Sequence, residues 1–114
     1  MPMMIYHNPR CSKSREALGL LEKMKAIVKV VEYLQVPPTR AELKILLSSL
    51  KMKARDIVRT GESVYKEKFA GKTLDEEGWV DALVANPILI ERPIFVNGKK
   101  AVVGRPPERV LEIL

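Results

Sequence analysis

The chain has 114 residues, the length of a single domain and enough to bury a core without disulfide or metal staples. Hydrophobic residues make up 46% and charged residues 30%, which excludes a disordered chain and indicates an ordinary globular protein. The net charge of +6 is spread along the chain among acidic residues; with no basic run and few aromatics to stack bases, it marks a solvated surface that attracts anions, and no nucleic-acid partner is expected.

Residues 1–10 hold no apolar run flanked by a cleavage site, and no stretch nears the roughly 18 apolar residues that span a bilayer. Neither a signal peptide nor a membrane association is expected, and the expected compartment is the cytoplasm. Cys11 is the one cysteine, so no internal disulfide can form. With only His7 available to join it, no metal site is expected.

Met3, Met4, Ile5 and Tyr6 form a short apolar run that stops at Asn8-Pro9 and reads as a buried first strand. From Ser14 the period changes: Ala17, Leu18, Leu21 and Met24 (or the stem of Lys25) recur at helical spacing opposite Arg15, Glu16, Glu22 and Lys23. Residues 26–34, rich in Val and Ile, predict a second strand that Pro37-Pro38 ends. Thr39-Arg40-Ala41-Glu42 matches a capping box, followed by Leu43, Leu46, Leu47 and Leu50 on one face. Thr73-Leu74-Asp75-Glu76 matches a second box, followed by Val80, Leu83 and Val84. Between them a mixed polar stretch is broken at Gly61 and Gly71, so residues 39–85 predict several short helices.

Pro87 ends that segment. Ile94-Phe95-Val96, Asn97-Gly98 and Ala101-Val102-Val103 give a hairpin signal, with Asn-Gly supplying positive φ angles for the turn. Pro106-Pro107 opens a last helix with Val110, Leu111 and Leu114 on one face. The order β-α-β, helices, β-β-α predicts one α/β domain over residues 1–114. Its outline is a thioredoxin-like fold: a mixed four-stranded sheet flanked by helices, with a helical insertion at about 39–85 between the βαβ and ββα halves.

Cys11 falls where strand gives way to helix. There, unpaired backbone N–H groups and the positive end of the helix dipole favour thiolate over thiol. Ser12 and Ser14 can donate hydrogen bonds to it, and Arg10, Lys13, Arg15 and His7 add positive charge. A lone cysteine is often an inert buried hydrophobe, but a polar, cationic loop is the setting of a reactive one. A dithiol oxidoreductase would carry a second cysteine at position 14. Ser14 stands there, so a redox cycle needs an external thiol.

The segment Tyr6-His7-Asn8-Pro9-Arg10-Cys11-Ser12-Lys13-Ser14-Arg15 resembles the active-site loop of the glutathione/glutaredoxin-coupled arsenate reductases. Asn86-Pro87-Ile88-Leu89-Ile90-Glu91-Arg92-Pro93-Ile94, Gly104-Arg105-Pro106-Pro107-Glu108 and Ile57-Val58-Arg59-Thr60-Gly61-Glu62 resemble further motifs of that family, in the same order. The resemblance implies that Cys11 attacks arsenate and that Arg59, Arg92 and Arg105 hold the oxyanion. It implies that His7, Asn8 and Ser14 support the thiolate and that Pro93 is a cis-proline beside the loop. It further implies an oxidoreductase with no bound cofactor, glutathione as co-substrate and glutaredoxin as partner. Arg10, Ser12 and Lys13 stand where the arsenic-resistance enzymes tend to have smaller residues, so the chain is closest to the arsenate-reductase-like housekeeping branch. Two other readings fit the fold: a glutathione-dependent thiol reductase with another substrate, and an Spx-like regulator that binds RNA polymerase. Regulators of that kind use a Cys-x-x-Cys switch, which Ser14 removes.

Overall fold

The computed structural model describes residues 3–114. They divide into two compact units, one formed by the chain up to Val36 and from Arg92 onward, the other by Pro37–Glu91.

The first unit contains β1 (Met3–His7), α1 (Ser12–Lys23), β2 (Val28–Glu32), β3 (Ile94–Asn97), β4 (Lys100–Val103) and a 3₁₀ helix at Pro107–Ile113. The sheet order is β2-β1-β3-β4, with β1 parallel to β2 and antiparallel to β3, and β3 antiparallel to β4. This is the expected mixed four-stranded sheet. Ile5, Phe95 and Val102 of the sheet are sealed against Ala17 and Leu21 of α1 and Val110 of the 3₁₀ helix. Removing any large member of that cluster would leave a cavity costing about 2–5 kcal/mol.

Three local expectations need correction here. Met24 is 59% exposed because α1 ends at Lys23, one residue before it, and the chain turns away. The hairpin loop is Gly98-Lys99: Asn97 stays in β3 opposite Lys100, and only Gly98 takes a positive φ, of 63°. Asn97 is kept in the strand by its side-chain amide, which donates to the Ile113 carbonyl at 2.8 Å. The last helix is 3₁₀ and buries Val110 alone of the three predicted face residues; Leu111 and Leu114 are exposed. With about three residues per turn, the apolar spacing of an α-helix does not keep one face inward.

The second unit contains α2 (Arg40–Leu50), α3 (Ser63–Lys68), α4 (Glu76–Ala85) and two short 3₁₀ turns, Ala54–Ile57 and Pro87–Leu89. The Thr39 capping box forms in full, the hydroxyl taking the Glu42 N–H and the Glu42 carboxylate taking the Thr39 N–H. The second box does not form. Asp75 caps α4 by accepting from Gly78 N–H at 2.8 Å, and the Glu76 carboxylate accepts from Ala54 N–H at 3.1 Å. Leu43, Leu46, Leu47, Val80 and Leu83 are buried. Val58 and Ile90 form an isolated antiparallel bridge within the unit.

Candidate active site

Strand directions in the first unit explain why residues far apart in sequence meet. Tyr6 lies opposite Ile94, and Ile94 opposite Val103. The loop that leaves β1, the segment that enters β3 and the segment that leaves β4 therefore share one end of the sheet. Cys11 is on the first of these, Arg92-Pro93 on the second and Arg105-Pro106 on the third. Both proline bonds are cis. Pro93 was the expected one; no feature of the sequence marked Pro106.

Gly104 brings the last two segments together. Its N–H donates to the Pro93 carbonyl at 2.8 Å, and a Cβ at this position would lie 2.9 Å from Pro93 Cγ and 3.1 Å from Val110 Cγ1. Arg105 Nε then donates to the Arg92 carbonyl at 2.8 Å, and its Nη2 lies 3.6 Å from Cys11 Sγ. The Arg92 guanidinium is close enough to the Cys11 sulfur to lower its pKa. Two guanidinium groups from different segments thus face one sulfur atom.

Cys11 is the N-cap of α1, in extended conformation, and the first turn that follows carries no acidic residue. Its N–H donates to the Asn8 carbonyl at 3.0 Å, closing the loop behind it. Burial pushes the thiol pKa up, but the Ser14 N–H, the Arg92 guanidinium and the Lys13 N–H outweigh it, and the net shift is downward. These are the two effects that favour a thiolate at a helix N-terminus: unpaired N–H donors and nearby cations. Arg92 answers in kind. Burial works against its charge, yet the Cys11 sulfur and the Tyr33 phenol hold its pKa above the ordinary guanidinium value.

His7, Asn8 and Ser14 are buried together under the loop. The Ser14 hydroxyl oxygen accepts the Asn8 N–H at 3.0 Å and lies 2.6 Å from His7 Nδ1. Its role therefore differs from the one expected: it braces the loop, and Ser14 reaches the sulfur through its backbone N–H. Burial holds the His7 pKa below its ordinary value; Glu32, its partner across β1 and β2, works in the opposite direction, and Arg15 reinforces burial. A neutral His7 with its proton on Nε2 accepts the Ser14 hydroxyl proton at Nδ1, leaving the oxygen free for Asn8. His7 is thus not one of the loop's cations. Asn8 Oδ1 accepts the Arg10 N–H at 3.0 Å, and Arg15 Nη1 donates to the Pro9 carbonyl at 2.8 Å. The loop is held by its own side chains.

Arg59 belongs to the second unit. There its Nη1 donates to Glu91 at 2.6 Å and its Nε lies 4.0 Å from the Glu62 carboxylate. Its N–H donates to the Leu89 carbonyl at 2.7 Å. Sequence reasoning missed Tyr33, which is fully buried and whose phenol helps raise the Arg92 pKa. An apolar run ending in tyrosine reads as a strand end, so the only available signal was the need of a buried phenol for a partner.

The model of the ArsC family matches residues 6–113. An arsenate reductase from Haemophilus influenzae is 44% identical, with all of both chains covered. One from Neisseria meningitidis is 43% identical over 96% of each chain. An uncharacterised Escherichia coli protein, YfgD, is 52% identical over 96% of this chain and 94% of its own. The solved structure of an arsenate reductase from Vibrio cholerae is 46% identical, matches with a TM-score of 0.95, and covers 100% of this chain and 98% of its own.

Proposed function

Because the chain belongs to the ArsC family and has its thioredoxin-like fold, we propose that it is an arsenate reductase with Cys11 as nucleophile and glutathione and glutaredoxin as electron donors. One observation carries the reading: a cysteine sulfur at a helix N-terminus, its pKa lowered, lies beside two guanidinium groups brought to it by separate segments. A thiolate and an oxyanion repel each other. Planar guanidinium forks neutralise both and grip tetrahedral oxygens in a fixed geometry.

In the proposed cycle the Cys11 sulfur attacks arsenic, forming an S–As bond while one oxygen leaves as water. Arg92 and Arg105 hold the remaining oxygens. Glutathione thiolate displaces a second oxygen, so arsenic bridges two sulfurs. A glutaredoxin thiolate then attacks the glutathione sulfur. A disulfide forms between glutathione and glutaredoxin, and the electron pair of the broken S–As bond passes to arsenic, reducing As(V) to As(III). Water releases arsenite and the Cys11 thiolate returns. The external thiols follow from the sequence, since the chain has one cysteine and Ser14 is committed to His7 and Asn8. The same commitment leaves an Spx-like regulator without its switch.

No helix among the described residues is long and apolar enough to cross a membrane. A lone thiolate that must stay reduced suits the cytoplasm, the compartment we propose. Steady-state arsenite formation tests the reading. Turnover should require glutathione and glutaredoxin and vanish in Cys11→Ser; turnover retained in that variant, or none in the wild type with both donors, refutes it.

A further inference from the structure

A cavity of about 150 Å³ opens between the loop that leaves β1 and the end of β2, entirely within the first unit. Its floor is the pair His7 and Glu32, direct partners in the parallel register of the two strands. Backbone geometry fixes both walls. On the loop side, Asn8 Oδ1 accepts the Arg10 N–H at 3.0 Å, and Arg15 Nη1 donates to the Pro9 carbonyl at 2.8 Å. On the strand side, the Gln35 and Val36 N–H groups both donate to the Glu32 carbonyl, at 2.9 and 3.0 Å. A cavity held this way is preorganised, so a ligand entering it has little protein to order. The Asn8 carbonyl, on the loop side, accepts the Cys11 N–H at 3.0 Å. A ligand in the cavity therefore lies against the residues that set the sulfur in place.

The chemistry of the lining selects the ligand. The volume is that of roughly five waters at about 30 Å³ each, room for one amino-acid end and not for a whole tripeptide. Arg10 and Glu32 bring opposite charges to the cavity, and among the described residues no salt bridge takes up either one. Gln35 adds an amide, while Pro9 and Leu34 supply apolar surface. A group that carries an ammonium and a carboxylate on one carbon satisfies both charges. A lone carboxylate meets Glu32 and is repelled. Glutathione has the first arrangement at its γ-glutamyl end and the second at its glycyl end. We propose that this cavity is the subsite for the γ-glutamyl end of glutathione, with Glu32 holding its ammonium and Arg10 its carboxylate, so that the cysteinyl thiol stays outside to react. The choice of glutathione rests on the arsenate-reductase reading; the recognition of a zwitterionic amino-acid end does not.

S-Methylglutathione, which cannot react at sulfur, tests binding without turnover. Titrated into the protein and followed by NMR, it should shift the Gln35 side-chain amide and the Leu34 methyl groups. Its Kd should weaken about 3- to 10-fold in Glu32→Gln and again in Arg10→Gln, each of which removes one charged partner. Both side chains are exposed, and neither change touches the backbone bonds that shape the walls. Shifts confined to other residues, or a Kd unmoved in both variants, would overturn the proposal. A donor series in the arsenate assay gives a second reading. γ-Glutamylcysteine, which keeps the zwitterionic end, should match the KM of glutathione. Cysteinylglycine, which lacks that end, should need about 10-fold more, and the gap should narrow in Glu32→Gln. The reverse order would assign the cavity to the glycyl end and contradict the proposal. If the wild type makes no arsenite while S-methylglutathione still shifts Gln35 and loses affinity in Glu32→Gln, the arsenate reading has failed and the subsite has not.

Discussion

At Cys11 two opposed effects meet. Burial disfavours a charged sulfur, while the Ser14 and Lys13 N–H groups and the Arg92 fork favour it, and the second set prevails. The two arginines are thus needed as forks and not merely as charges. Arg92→Lys and Arg105→Lys keep the charge but replace directed bonds of about 1.5–3 kcal/mol with a mobile point charge, so kcat/KM for arsenate should fall about 10- to 100-fold in each. Arg59, already paired with Glu91 and Glu62, should tolerate lysine with a smaller loss; a larger loss than at Arg92 would reverse that ranking. At His7 the sign of the pH effect follows from burial. The native state resists protonating an imidazole whose pKa is lowered, while the unfolded chain takes up the proton near about 6.5. The unfolded state then binds more protons, so stability falls as pH drops below that value and levels off beneath the native pKa. His7→Asn should flatten this fall in Tm between pH 7 and 5.5. Equal slopes for variant and wild type would assign the acid sensitivity elsewhere.

Among the elements, the β3–β4 hairpin contributes most to the site, because its open end holds Arg92 and Arg105 and Gly104 closes it against Pro93. Gly104→Ala forces a Cβ into contact with Pro93 Cγ and Val110 Cγ1. It should cost about 1–3 kcal/mol in urea unfolding, together with a loss of arsenate turnover that exceeds any seen for alanine at the open Gly19. Equal activity in both variants would show that the two arginine segments are placed by something else. The Thr39–Glu42 box is legible in the sequence because it needs only residues of its own turn, and it forms. The Thr73–Glu76 box fails because Glu76 is taken by Ala54 N–H, 22 residues away in sequence, which no local rule anticipates. The hairpin was recognised but placed one residue early, since Asn97 is held in the strand by Ile113.

For the molecule as a whole, the site divides in the same way. The loop chemistry around Cys11 follows from a strand-to-helix junction visible in the apolar periodicity. The convergence of Arg92 and Arg105 follows from strand order and direction, which periodicity alone does not assign. Motif resemblance supplied those two arginines, and the antiparallel pairing of β1, β3 and β4 gives the physical reason they meet. Tyr33 escaped both routes, since its phenol acts on the Arg92 charge from 59 positions away in sequence. The account's central claim is that one thiolate and one oxyanion share the field of these two arginines. Iodoacetamide alkylation of Cys11 across pH, with and without arsenate, tests it most directly. The account predicts a midpoint below the unperturbed thiol value of about 8.5 and slower alkylation as arsenate is added, with the protection lost in Arg92→Lys. A midpoint at the unperturbed value and an alkylation rate indifferent to arsenate would contradict it.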